Sequence, residues 1–144
     1  TLENPEKMLK SNKQAKEKSR YLYDEKKQHI SVFIFPKNGT DVNYFKTLLS
    51  DYHRQEYSNE VFEINAILFG LNKHLVSVRM FENKKQAMKY YASILDKSSI
   101  LQELKKQNHN FFVFSEENFQ EFYKTKNIKE YIPFFEKNYL QNKD

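Results

Sequence analysis

From residue 29 onward the chain alternates between two hydrophobic periods. HISVFIFP, residues 29–36, is dense in β-branched and aromatic residues and ends on proline, which predicts a strand. KNGTD follows as a turn, with Thr40 or Asp41 as a helix cap. Val42, Phe45, Leu48, Leu49 and Tyr52 then recur at helical spacing. VFEINAILF, residues 61–69, predicts a second strand, and HLVSVRMF, residues 74–81, a third. Between them, Gly70 and Asn72 suit a tight antiparallel hairpin. Asn83 is placed to cap a second helix, with Gln86 at the capping-box position. The apolar face of that helix is Ala87, Tyr90, Tyr91, Ile94 and Leu95. SSILQELKKQN extends that helix or follows it as a short one. HNFFVFS predicts a fourth strand.

Ser115 caps a third helical region. Glu116 and Glu117 sit at the positive end of its dipole, and Phe119, Phe122 and Tyr123 lie on one face. A helical pattern resumes from Asn127 to Tyr139, with Pro133 as a break, a kink or the first turn of a new helix. The order β-α-β-β-α-β is the ferredoxin-like split-βαβ arrangement, an α+β fold with a four-stranded antiparallel sheet. It divides the chain into a polar helical leader or linker over 1–28, a βαββαβ domain over 29–115, and C-terminal helices over 116–144 packed on that domain. Within the leader, Tyr21, Leu22 and Tyr23 are the residues suited to docking. One sheet face is expected to pack Val32 and Ile34 under the two main helices. The other is expected to gather Ser31, Phe33 and Phe35 with Ser77, Arg79, Phe112 and Phe114. That second face is too apolar to stand open, so either a ligand or the aromatic segment 119–139 covers it.

Composition narrows the function. The 144 residues hold 39% hydrophobic and 16% aromatic residues without Trp or Cys, so the core must be built from Phe and Tyr. The mean hydropathy of −0.87 reflects the many Lys, Asn and Gln. Without Cys there are no disulfides, thiolate metal sites or cysteine nucleophiles. No apolar run approaches the roughly 20 residues that span a bilayer, so no direct membrane insertion by this segment is expected. The net charge is +5, of which residues 1–28 carry +3, eight Lys/Arg against five Asp/Glu. A basic leader on a nearly balanced body reads as a solvated segment rather than a nucleic-acid patch.

No catalytic constellation emerges. FPKNGTD lacks the phosphate-loop spacing, and two glycines cannot build a Gly-rich cradle. His29, His53, His74 and His109 show no metal-ligand spacing, so neither metal nor cofactor is expected. No nucleophile elbow is present. RNA-recognition domains share this strand order and stack bases on sheet aromatics, but the third strand lacks their aromatic motif. Nucleic acid is therefore an unlikely partner.

VSVRMFENKKQAMKYYASIL resembles the second half of SPOR-type domains, with Ala87 at the alanine near the helix start. That resemblance implies peptidoglycan binding on the sheet. HISVFIFPKNGTDVNYFK, VRMFENKKQAMKYY and NFFVFSEENFQEFYKTKNIKEYIPFFEKNY together resemble the extreme C-terminal domain of large tetratricopeptide-repeat lipoproteins of the type IX secretion and gliding-motility machinery. This resemblance implies a periplasmic, outer-membrane-associated scaffold component, with residues 1–28 as the tail of the repeat region. The expected function is a non-enzymatic protein-interaction module with a protein partner in an envelope complex. Peptidoglycan binding is the alternative, and RNA a third. Lys37, Asn38 and Asn72 are the loop candidates for partner contact, Arg79 the polar candidate on the sheet, and Phe33 and Phe112 the aromatic ones.

Overall fold

The computed structural model describes residues 19–141. Its elements run β1 (His29–Pro36), α1 (Val42–Glu56), β2 (Glu63–Phe69), β3 (Lys73–Phe81), α2 (Lys84–Leu95), α3 (Ser98–Lys105), β4 (Asn110–Ser115), α4 (Glu116–Thr125) and α5 (Ile128–Phe135), then a π-helical turn, Glu136–Leu140. The strands form one antiparallel sheet in the order β2-β3-β1-β4. This is the ferredoxin-like βαββαβ core with helices appended after β4.

The helix starts follow from their caps. The Asp41 carboxylate accepts the Tyr44 N–H at 3.0 Å, and Ser115 Oγ accepts that of Asn118 at 3.1 Å. Asn83 Oδ1 accepts the Gln86 N–H at 2.9 Å. The Gln86 side chain reaches back to the Glu82 N–H at 2.6 Å, one residue earlier than the usual box partner. Asn127 caps α5, accepting the Glu130 N–H at 3.1 Å. Each cap is worth about 1 kcal/mol. Pro133 lies inside α5 rather than at a break, and the helix widens into the π turn just beyond it.

The two sheet faces differ from expectation in the phase of β1. Phe33 stacks on Phe111 with centroids 4.2 Å apart, and both Phe33 and Phe35 meet Phe45 of α1 edge-on at 4.9 Å. Residues 31, 33 and 35 therefore face the main helices. Val32 lies opposite Phe112 and Ser77, and Ile30 opposite Phe114, so Ile30, Val32 and Ile34 belong to the other face. Phe33 and Phe112, expected together, are on opposite faces. The reason is local. β1 is buried from His29 through Phe35, so it is apolar on both sides and alternation cannot set its phase.

That second face is covered by the chain itself. Phe114 stacks on Tyr131 at 4.1 Å, and Phe112 lies against Phe122, Tyr131 and Phe135. The Tyr131 hydroxyl donates to the carbonyl of Val113 at 2.6 Å. Phe135 touches both Phe112 and Tyr91 of α2, so it wraps the outer edge of β4. Of the leader, residues 1–18 lie outside the described residues, and residues 19–28 contain no helix. Tyr21 is buried 4.9 Å from Tyr131, and Asn118 bonds both the N–H and the carbonyl of Leu22. Leu22 and Tyr23 keep exposed side chains.

A bulge sets the aim of β3. Between the pairs Ser31–Val78 and His29–Phe81, β1 advances two residues and β3 three. Met80 takes φ +90° there and remains exposed. Its extra residue breaks the alternation, so Arg79 shares the face of Ser77 while Phe81 turns into the main-helix core. Phe81 lies 4.9 Å from Phe62 and 5.0 Å from Tyr90.

Two stability outcomes follow from these contacts. Tyr131→Phe strands a buried carbonyl on β4 and is expected to cost about 1–2 kcal/mol in urea unfolding with an unchanged m value. A wild-type midpoint would remove that hydroxyl from the account of the β4 edge. Met80→Gly should raise the urea midpoint and Met80→Val lower it, with about 1–3 kcal/mol between the two. Coincident midpoints would mean that the bulge stores no backbone strain.

Candidate functional site

The loop candidates converge at one end of the sheet. The Lys37 N–H donates to the Asn72 carbonyl at 2.7 Å, which ties the turn after β1 to the β2–β3 hairpin. The side chains of Lys37, Asn38 and Asn72 are all exposed, beside Leu71. Arg79 is engaged instead. Its Nε donates to Glu116 at 3.0 Å, one terminal nitrogen donates to Ser77 Oγ at 3.4 Å, and its guanidinium lies 5.5 Å from the Phe119 ring centre. The charge locks α4 onto the sheet. Phe33 and Phe112 are buried, so as contacts for a partner they are corrected: rings packed under helices on both faces present no surface.

The exposed apolar surface lies elsewhere, along β2. This strand is the sheet's free edge, and its sequence EINAILF holds one charge and no proline. Leu68 is 51% exposed and Ile67 43%, and the flanking Val61 and Leu71 reach 80% and 87%. Ile64, Ala66 and Leu68 point to the main-helix side, and Glu63, Asn65, Ile67 and Phe69 to the other. The opposite edge, β4, is closed by Tyr131 and Phe135. Among the described residues, one edge of the sheet is thus plugged by the chain and one is bare. An edge strand offers a row of backbone donors and acceptors to any added strand.

Beside the bare edge, a cleft of about 550 Å³ opens between the end of α1 and the start of β2. Its wall is built by His53, Tyr57, Phe62 and Ile64, with Arg54 and Glu60 at the rim. The wall is rigid for a chemical reason. His53 Nε2 lies 2.6 Å from the hydroxyl of Tyr90, which is buried in the core. Burial lowers the His53 pKa to about 4 and pushes that of Tyr90 well above its usual value. Both groups are therefore neutral near pH 7, and they share one hydrogen bond. Tyr57 bonds Ser93 Oγ at 3.0 Å, and its ring lies 5.4 Å from Phe62. A second pair repeats the device across the fold. His29 accepts the Tyr139 hydroxyl at 2.8 Å and donates to the Lys27 carbonyl at 2.7 Å, and burial lowers its pKa.

The histidine of the cleft is kept neutral by burial, with its Nε2 against the Tyr90 hydroxyl. Among the described residues, no group of three or more His, Asp or Glu is placed to hold a metal ion, and no helix is long and apolar enough to cross a membrane. Sequence reasoning allowed an edge strand as a contact but did not say which edge is bare, because edge position comes from strand order, not from composition. The available signal was that the split-βαβ order places the second strand outermost. No protein-family model matches the chain, and no match is found among curated proteins or solved structures.

The histidine–tyrosine pairs set a pH dependence. The unfolded chain binds protons on histidine near the ordinary value of 6.5, whereas the folded chain resists them until about 4 at His53. Through this window the unfolded state holds more protons, so the histidine contribution to stability is flat above pH 6.5 and falls as pH drops toward 4. His53→Gln keeps an acceptor for Tyr90 and should flatten that part of the curve in urea titrations at several pH values. An unchanged slope would assign the acid sensitivity to other groups.

Proposed function

We propose that this domain is a non-enzymatic protein-interaction module that receives a partner along the β2 edge. The observation that carries this is the contrast between the two edges: β4 is sealed by Tyr131 and Phe135, while β2 stands open with Ile67 and Leu68 exposed. Strand addition at such an edge draws affinity from main-chain bonds and selectivity from pockets for alternate side chains. The cleft beside Ile64 supplies one such pocket.

Glycan-strand or RNA binding on the sheet requires an open face. The face bearing Phe112 and Phe114 is buried under α4 and α5, which weighs against both polymers. The resemblance to the C-terminal domain of secretion and gliding-motility lipoproteins extends the proposal. On that reading the module closes a larger scaffold protein, periplasmic and attached to the outer membrane.

The test combines two measurements. The protein is expected to stay in the supernatant when denuded sacculi or single-stranded RNA are sedimented. A photo-crosslinking residue at Leu68 should give discrete protein adducts in cells, and the same group at the exposed Lys129 of α5 should not. Strong retention on sacculi, or equal adducts from both positions, would overturn the reading.

A further inference from the structure

We infer that the partner seated on the β2 edge is a second copy of this chain, paired antiparallel about a two-fold axis through Ala66. This rests on the reading of β2 as an interaction edge and names its occupant. A two-fold strand pair demands a self-complementary edge, because each residue meets the one equally far on the other side of the axis. β2 and its flanks meet that demand. Ile64 comes opposite Leu68 of the second copy, two residues either side of Ala66 and both on the main-helix face. There the exposed Leu68 of one copy enters the cleft that Ile64, Phe62 and Tyr57 line in the other. The two most exposed apolar flanks, Val61 and Leu71, stand five residues either side and come level with one another.

Charge follows the same symmetry. Glu63 lies three residues before Ala66 and Phe69 three residues after it. The ammonium of Lys126 sits 5.9 Å from the centre of the Phe69 ring. Pairing about Ala66 therefore brings the one acid of β2 to a position already overhung by a cation, twice per dimer. No like charges meet along the pair, since Glu63 is the strand's only charge. A register slipped by one residue would set the cleft-side residues of one copy against the far-face residues of the other and lose both matches. The result is a continuous eight-stranded sheet with a plugged β4 edge at each end. It has no further open edge, so the assembly closes at two copies.

The test uses the full 144-residue chain. Sedimentation velocity across the micromolar range should show mass rising from monomer to dimer. Ile67→Lys with Leu68→Lys should lower the association constant about tenfold or more, with an unchanged circular dichroism melt showing that the fold survives. The absence of native cysteine gives a clean probe of register. Ala66→Cys places two thiols across the axis and should oxidise to a covalent dimer, while Lys89→Cys on the exposed face of α2 should not. A chain that stays monomeric at every concentration overturns the inference, as does a dimer indifferent to the β2 substitutions or one in which Ala66→Cys fails to crosslink. A monomer whose Leu68 crosslinks to other proteins would sink the self-pairing and leave the interaction reading standing. A monomer with no adducts at all would sink both.

Discussion

The rest of this structure depends on burying β1 from both sides. Every residue from His29 to Phe35 is removed from water, including the polar His29 and Ser31. The two crossover helices of a βαββαβ unit can cover only one face of its sheet. The other face carries Phe112 and Phe114, rings that each expose on the order of 150–250 Å² if left bare. The C-terminal helices are thus a second half of the core. Phe122, Tyr131, Phe135 and Tyr139 join the same buried cluster as Phe33, Phe45 and Tyr90. The strand's buried polar end is satisfied by the chain on either side of it, since His29 is held between the Lys27 carbonyl and the Tyr139 hydroxyl. Sequence positions before β1 and after β4 therefore meet at one imidazole.

Building two cores on one sheet creates a problem at β3, whose end must serve both. The bulge at Met80 solves it by one residue. Arg79 stays with the second face, where Glu116 at the start of α4 takes its charge and Phe119 lies against its guanidinium. A partly buried, charge-assisted contact of this kind is worth more than an exposed pair. Phe81 turns the other way, toward Phe62 and Tyr90. The cost is a left-handed backbone at a residue with a side chain, and that residue is the exposed one. The same Tyr90 that receives Phe81 also anchors His53, so the bulge, the first core and the cleft wall are one connected set of contacts.

Much of this was legible in the sequence, and the failures have physical causes. Thr40 or Asp41, Asn83 and Ser115 announced three helix starts, with Asp41 the cap of the first, because an N-cap is a local interaction between residues three apart. The β-α-β-β-α-β element order followed from the alternating periods, and the need for a cover over Phe112 and Phe114 from the apolar load of β4. The phase of β1 did not follow, because HISVFIF is apolar on both sides. The bulge did not follow either, since bulges that use φ > 0 usually advertise a glycine and this one holds Met80. Arg79 stood out as a charge among aromatics, but its partner Glu116 had already been explained as a favourable charge at a helix start, and one residue does both. The exposed loop residues Lys37, Asn38 and Asn72 read true as surface. β2 read as an ordinary strand, because its exposure comes from which strands flank it.

The treatment of the two edges then bears most directly on function. Proteins blunt an edge with lysine, proline, a bulge or a covering element. β4 receives a covering element of some precision: a tyrosine hydroxyl on its Val113 carbonyl and a phenylalanine folded past its rim. Among the described residues, β2 receives none of these devices and presents Ile67 and Leu68 outward. Main-chain bonding at such an edge accepts any strand, so discrimination must come from the side chains that alternate across it. On the far face those chains meet Asn65 and Ile67 in the open. On the cleft face they meet a wall of Tyr57, Phe62 and His53, in which burial keeps the imidazole neutral against the Tyr90 hydroxyl. An apolar side chain is favoured on that wall and a charged one is not, because a charge there must be desolvated against a surface with no counter-ion deeper than the rim residues Arg54 and Glu60. In the proposed strand addition, the wall that would select the added side chain is held in place by the same histidine–tyrosine contact that fastens α1 to α2.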